Sequence, residues 1–487
     1  MIPFTSFAPD LDPTMPGIIT GCTNLIPTLR GYAGGPSGVD VGMDALAAAA
    51  LTATICTKLD ATNRFFVGTA TKLYEKSTSS WTDVSRATAY NASTENPWRF
   101  AQFGNTSLAV NKGDVLQSIA GGADFADLTA PKAACMCVAS SFVLLGNTND
   151  SGLGITGGPN ADDLDRWWCS AINDETDWAP DAAVTQCATG RLVDTPGAIK
   201  AIKSLGYEAV VYKERSMYLG RYAGPPTVWD WYLIPGEVGC SSHESIADLG
   251  TEHVFVGPDD FYRFNGSAPV AIGSPLREWF FTDLDPNYRF LIRHTIDRAN
   301  SIIYWFYPRA GNTGTLNGCI CYNYKSSKWG VAHRTVEAAV EYITSGYTWN
   351  TLPISTWDDL PDVTYDSPFW QVAARYQAYV GTDHKIYSMT GASDSASLTS
   401  GDYGSDNEYN LLSRVTLRYL NIPDTATMTN YYQEVHGDTW TTDATTTESS
   451  GRFDLFRSAP WHKVAFNFTG DFEVSGADAN VKPDGVF

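Results

Sequence analysis

FVGTATKLY, at residues 66–74, is the stretch on which the fold turns, because the chain repeats its plan twice more. VGPDDFYRF stands at 256–264 and VGTDHKIYSM at 380–389. Each has a Val-Gly step, a short polar bend and then an aromatic residue. An apolar run that stops at Gly, turns through polar residues and resumes on an aromatic reads as two antiparallel strands and their link. Around the first copy lie TATICTKL, FFVGTA, TKLYEKS and WTDVSRA, four strand-sized pieces in which apolar and polar residues roughly alternate. That alternation is the mark of half-buried strands. The repeated phrase is therefore the turn from the second strand into the third of a recurring four-stranded unit.

Working outward, the unit recurs. WRFAQFG, TSLAVNKG, DVLQSIAG and FADLTA make a second set. CMCVASSFVLLGNTND, RWWCSAINDETDW and AVTQCATG make a third, and IKAIKSLG through TVWDWYLI a fourth. SIADLGT through PVAIGS is a fifth and RHTIDRA through KWGVAHR a sixth. A weaker last set uses QVAARYQAYVGTD and HKIYSMTG. A four-stranded repeat of about 35–60 residues is the signature of a β-propeller. The expected fold is thus all-β: a degenerate propeller of six or seven blades, without the GH and WD marks of the commonest version. A set of β-sandwiches is the alternative, since frequent turns suit it too.

Three regions follow. Residues 1–45 are rich in Pro and Gly with few periodic apolar positions, and read as an extended arm lying on something else, with little core of its own. Residues 46–393 hold the propeller, with a loop-like insertion near 336–370. The polar run DSASLTSGDYGSDNEY marks a boundary, and 394–487 read as a separate C-terminal β-domain in which GRFDLFRS and KVAFNFTG alternate cleanly.

Composition excludes several function classes. The net charge is −21, with 54 acidic against 33 basic residues, so the chain is a poor candidate for wrapping nucleic acid, and its acidity reads as plain solubility or as a surface that repels polyanions. Nine Cys at 22, 56, 135, 137, 169, 187, 240, 319 and 321 have no zinc-site spacing, and read as reduced, buried thiols made in a cytoplasm. The opening MIPFTSFAPDLDPTMPG has no secretory pattern, and ALAAAALTATIC at 45–56 is too short to span a bilayer. No phosphate-cradling loop, dinucleotide fingerprint, HExxH or GxSxG is present. Nor are the SxDxGxTW boxes of sialic-acid-cleaving propellers. The seven His residues (243, 253, 294, 333, 384, 436 and 462) are scattered. The carboxylate pairs Asp162/Asp163, Asp259/Asp260 and Asp358/Asp359 sit in turns, where Asp bonds nearby backbone. No catalytic, cofactor-binding or metal-ligating residue is assigned, and no cofactor is expected.

Several stretches, taken in order, resemble one family. FAPDLDPTMPGIITGCTNLIPTLRGYAGGPS resembles the N-terminal arm of the tail hub or nozzle proteins of short-tailed bacteriophages. GTATKLYE, WTDVSR and WRFAQFGNTSLAVN resemble that family's first blades, and RWWCSAINDETDW and FYRFNGSAPVAIG its middle ones. TWDDLPDVTYDSPFW resembles the stretch before its last blade, and GRFDLFRSAPWHKVAFNFTGDFEVSGADANVKPDG its closing strands. The resemblance implies a non-enzymatic virion protein made in the bacterial host cytoplasm. Six copies would form a ring below the portal and adaptor. The ring would continue the DNA channel, retain packaged DNA and dock tail fibres or spikes, with no membrane insertion. Genomic DNA would pass the lumen without sequence-specific contact, which an acidic wall would favour. The alternatives are a glycan-binding or glycan-cleaving propeller, virion-associated or cellular, and a cellular scaffold.

Overall fold

The computed structural model describes residues 2–343 and 375–486. Four-stranded antiparallel meanders succeed one another as blade 1 (52–83), blade 2 (99–127), blade 3 (132–191), blade 4 (201–234), blade 5 (246–271) and blade 6 (293–332). Blade 7 takes three strands from the same stretch of chain, Ala338–Ile343, Arg375–Val380 and Ile386–Ser393. Its fourth is Pro36–Asp40, from the N-terminal arm, with Asp40 opposite Tyr387 and Gly38 opposite Met389. First strands of neighbouring blades pack side by side, blade 7 against blade 1 included, and a shared core of Tyr212, Phe255 and Phe264 joins blades 4 and 5. The described residues form seven blades. Most of the insertion near 336–370, with Asp358/Asp359 and TWDDLPDVTYDSPFW, lies outside the described residues.

All three copies of the opening phrase fall where the sequence places them. FVG closes the strand Asn63–Gly68 and LY opens Leu73–Lys76. The second copy joins His253–Val256 to Phe261–Phe264, and the third joins Arg375–Val380 to Ile386–Ser393. The glycine has a packing role. A Cβ on Gly68 would stand 2.2 Å from the Trp98 ring, and one on Gly257 would stand 2.6 Å from the Tyr262 ring. Trp98 is fully buried and donates its indole N–H to the Thr69 carbonyl at 2.9 Å, so the ring has nowhere to move. The same device recurs across strands, where Trp231 lies over its partner Gly220 in blade 4 and Tyr307 over Gly318 in blade 6.

The chain beyond 394 builds a sandwich. One sheet holds Ile19–Thr23, Ala396–Ser400, Trp461–Thr469, Thr425–Gln433 and Thr441–Thr447. The facing sheet holds Tyr32–Gly34, Glu473–Val486, Glu408–Asn421 and Phe453–Ala459. Alternation sends Val464, Phe466 and Phe468 inward from one sheet and Leu412, Val415 and Leu417 from the other. The second sheet does not stop at the sandwich. Through Leu25–Pro27 it runs on to the fourth strand of blade 6, with Leu25 opposite Val331. One apolar core accordingly extends from Phe466 and Phe468 through Leu25 and Tyr32 to Trp329, Trp305 and Phe261. The β-domain read as separate is continuous with the propeller in both sheet and core.

The reading of the arm is corrected in the same way. Residues 1–45 are extended, but they lie on their own chain and are built into its interior. Phe4, Phe7, Ile19, Leu25 and Tyr32 are all buried in the shared core. The arm adds strands to the sandwich, to the edge of blade 6 and to blade 7. Its apolar residues show no period because its five short strands are divided among three sheets. Tyr32 ties the parts together: its hydroxyl accepts from the Phe7 N–H and donates to the Trp329 carbonyl, both at 2.9 Å.

Candidate functional site

Arg99 opens the first strand of blade 2, Lys203 lies in the first strand of blade 4, and Arg293 opens the first strand of blade 6. Blade 5 is entered through Ser241–Ser242–His243–Glu244–Ser245, the last three forming a single 3₁₀ turn. Arg99 Nη1 reaches Glu244 Oε1 at 3.1 Å. Blades 2 and 5 stand three positions apart in a ring of seven, so this pair crosses the propeller axis.

The turn that carries Glu244 is tied down on every side. Ser242 Oγ donates to the Ile292 carbonyl at 2.8 Å, and Trp305 Nε1 donates to the Ser245 carbonyl at 2.9 Å. His294 Nδ1 donates to the Glu244 carbonyl at 2.6 Å, and His243 Nδ1 lies 3.1 Å from Glu244 Oε1. Burial alone would raise the Glu244 carboxyl. Arg99, Lys203 and the His243 hydrogen bond instead hold it well below the usual carboxylate range. Burial, helped by Lys203 and Arg99, pushes His243 down to about 3, so its ring is neutral near pH 7. Burial and Lys203 lower His294 as well.

Arg293 differs from its neighbours. It is 7% exposed, and among the described residues its guanidinium makes no hydrogen bond or ion pair. Burial lowers it to about 10, with Glu244 opposing and Arg99 adding to the shift. Arg99 Nε is likewise buried without a partner among the described residues. Among the described residues the axial cluster offers N–H donors and positive charge, a chemistry that suits the binding of anions.

The residues singled out in the sequence go elsewhere or serve structure. His253 is buried between the Tyr212 hydroxyl at 2.7 Å and the Ser204 carbonyl at 2.8 Å. His333, His384, His436 and His462 lie outside the axial cluster, and among the described residues no group of three or more His, Cys, Asp or Glu could hold a metal. Asp162 pairs with Lys112, Asp163 with Arg166, and Asp260 Oδ1 accepts from the Phe261 and Gly273 N–H groups. All nine cysteines are free thiols, and Cys135 and Cys137 point into one core cluster as neighbours at i, i+2 on a strand do. No described helix is long and apolar enough to cross a membrane. Arg99, Lys203, Glu244 and Arg293 were missed because four separate stretches supply them. Their one shared signal is position at or near the start of a blade's first strand.

No family model and no curated protein matches the chain. Solved structures give weak likenesses. The extracellular domain of a one component system of B. thetaiotaomicron is 8% identical over 87% of this chain, with a TM-score of 0.40. This chain covers 47% of that one, about half its length. BBS1N in complex with ARL6DN is 11% identical over 74% of this chain and 97% of its own, with a TM-score of 0.38. An exo-β-1,3-galactanase from Phanerochaete chrysosporium is 10% identical over 91% of this chain and 99% of its own, with a TM-score of 0.27. Likenesses this low carry no functional argument. The all-β propeller rests on the sheet topology itself.

Proposed function

We propose that the protein is a non-catalytic structural component of a short phage tail. In this reading it forms a closed ring that continues the DNA channel below the portal and adaptor, retains packaged DNA and docks fibres or spikes. The sequence resemblance motivates this, and one structural observation supports an assembly role. Apolar side chains are exposed on sheet edges of both the propeller and the sandwich. The outer strand of blade 4, Val228–Ile234, is a sheet edge that holds Tyr232 50% and Leu233 46% exposed. On the sandwich, Phe456 is 82% exposed on Phe453–Ala459, and Ile422 and Val435 are also outside. An uncovered apolar edge is a template for association unless a partner covers it. Continuity of sheet and core between propeller and sandwich makes a stiff building block, which suits a component that bears load.

The test is electron cryomicroscopy of the particle that contains the protein, together with a screen of the purified chain for glycan binding and turnover. A six-fold ring in line with the DNA channel is the expected outcome. A chain absent from any tail, or one that binds and cleaves glycan as a monomer, would replace this reading with that of a glycan-directed propeller.

A further inference from the structure

We propose that the propeller axis is a binding site for a small, doubly charged oxyanion of the phosphate or sulfate type, held by Arg293 and Arg99. The inference is independent of the assembly reading, because it concerns the interior of one chain.

Charge is the first ground. Arg99 pairs with Glu244 at 3.1 Å, Lys203 and Arg293 lie near enough to act on the same carboxylate, and His243 and His294 stand beside it. Three cations against Glu244 and the more outlying Asp248 leave positive charge uncompensated in the middle of a chain whose net charge is −21. Such a chain has many acidic residues with which to neutralise an inner cation, yet none of those described pairs with Arg293.

Hydrogen bonding is the second. A guanidinium carries five N–H donors in a rigid fork and does not lose its charge. Buried without partners it is strongly unfavourable, and the usual remedy is a bidentate acceptor such as a carboxylate or phosphate. Arg293 is buried at the mouth of a first strand with its Nε unpartnered and no hydrogen bond from its fork to any described residue, and the Arg99 Nε is also buried without a partner. A tetrahedral dianion supplies both the missing charge and several acceptor oxygens.

Rigidity and access are the third. Glu244, which aligns Arg99 across the axis, rides on a turn held by Ser242, Trp305 and His294, so the donors are positioned before any ligand arrives. Glu244, Lys203 and His294 are only partly buried, which leaves the cluster a route to solvent along the axis. The depth of Arg293 suits a free ion better than a phosphate within a polymer backbone.

The experiment is calorimetry and thermal unfolding of the full chain in sodium phosphate, sulfate and chloride at matched ionic strength, with a dinucleoside monophosphate as a further arm. Phosphate and sulfate should bind saturably, at least tenfold tighter than chloride, with no binding of the dinucleotide. Arg293→Gln should abolish the phosphate-specific increment. Arg293→Lys, which keeps the charge but not the fork, should weaken it and guards against a misfolded Gln variant. Glu244→Gln should tighten phosphate by roughly tenfold, because it removes the competing negative charge that pairs with Arg99; a purely structural ion pair would give a less stable protein with unchanged affinity. Equal effects of phosphate and chloride, a retained increment in folded Arg293→Gln, or dinucleotide binding as tight as free phosphate would each overturn the proposal.

Discussion

Replacing Tyr32 by Phe removes a single oxygen atom and should loosen the whole arm. Among the described residues that hydroxyl is the one partner of the buried Phe7 N–H, and it also bonds the Trp329 carbonyl, each at 2.9 Å. Tyr32 is fully buried, so water does not replace the lost atom. An orphaned buried N–H costs about 1–3 kcal/mol and a second lost hydrogen bond about 0.5–1.5 kcal/mol. The sum is about 1.5–4.5 kcal/mol, with no change in apolar packing. At 1.4 kcal/mol per decade this is roughly a 10- to 1,600-fold rise in the opening equilibrium of the arm. Native-state hydrogen exchange with mass spectrometry reads it directly, in peptides from residues 4–34 compared with those from blades 2 and 3. Tyr207→Phe, at an exposed ring, is the control. Arm peptides that exchange within threefold of the parent would mean that the arm is held by its strand pairing alone, and that the three-way tie at Tyr32 is incidental.

Other outcomes follow from the same contacts. Deleting residues 1–40 should yield insoluble protein, because it strips blade 7 of its fourth strand and removes Phe7, Ile19, Leu25 and Tyr32 from the core; a soluble, cooperatively folded product would refute the shared core. Gly68→Ala should cost about 1–3 kcal/mol by driving a methyl group against the immobile Trp98 ring, measured as a lowered thermal midpoint. Acid should destabilise the fold below about pH 6.5, because burial depresses His243, His253, His294 and His462 in the native state while the unfolded chain takes up those protons first. Each such histidine contributes a slope of about 1.4 kcal/mol per pH unit until its native value is reached, which for His243 is about 3, so His243→Gln should flatten the stability–pH curve by about one proton. Tyr232→Ser with Leu233→Ser should reduce self-association in sedimentation velocity without altering the thermal midpoint of the monomer.

The first six blades were legible because each is a local meander. FFVGTA pairs with the strands just before and after it, so alternation and turn chemistry carry the information within about 40 residues. Blade 7 was legible only in part, since its outer strand, PSGVD, has neither alternation nor bulk and lies far upstream of its partner. The arm was misjudged for a related reason: Phe4, Phe7, Ile19, Leu25 and Tyr32 are isolated apolar residues among Pro and Gly, and only the tertiary fold shows that they share a core. The axial cluster was invisible. Arg99 and Glu244 are 145 residues apart and belong to no motif, and nothing in WRFAQF or SSHES indicates that ring closure brings them together.

The closing strand also sets an order of events during synthesis. Asp40 leaves the ribosome early, and its partner Tyr387 follows 347 residues later, by subtraction of their positions. At about 5–20 residues per second this is a wait of roughly 17–70 s. Leu25–Pro27 and Tyr32–Gly34 can pair at once, but throughout that time the other arm strands must avoid pairing with nascent blades. The arm is suited to waiting: its strands are three to five residues long beyond the initial pair, and Pro and Gly interrupt them, so none is a good template alone. What the ribosome makes first is thus the last piece to settle, and any shortage of chaperone or any pause late in translation should show itself as chains whose first forty residues remain open to protease.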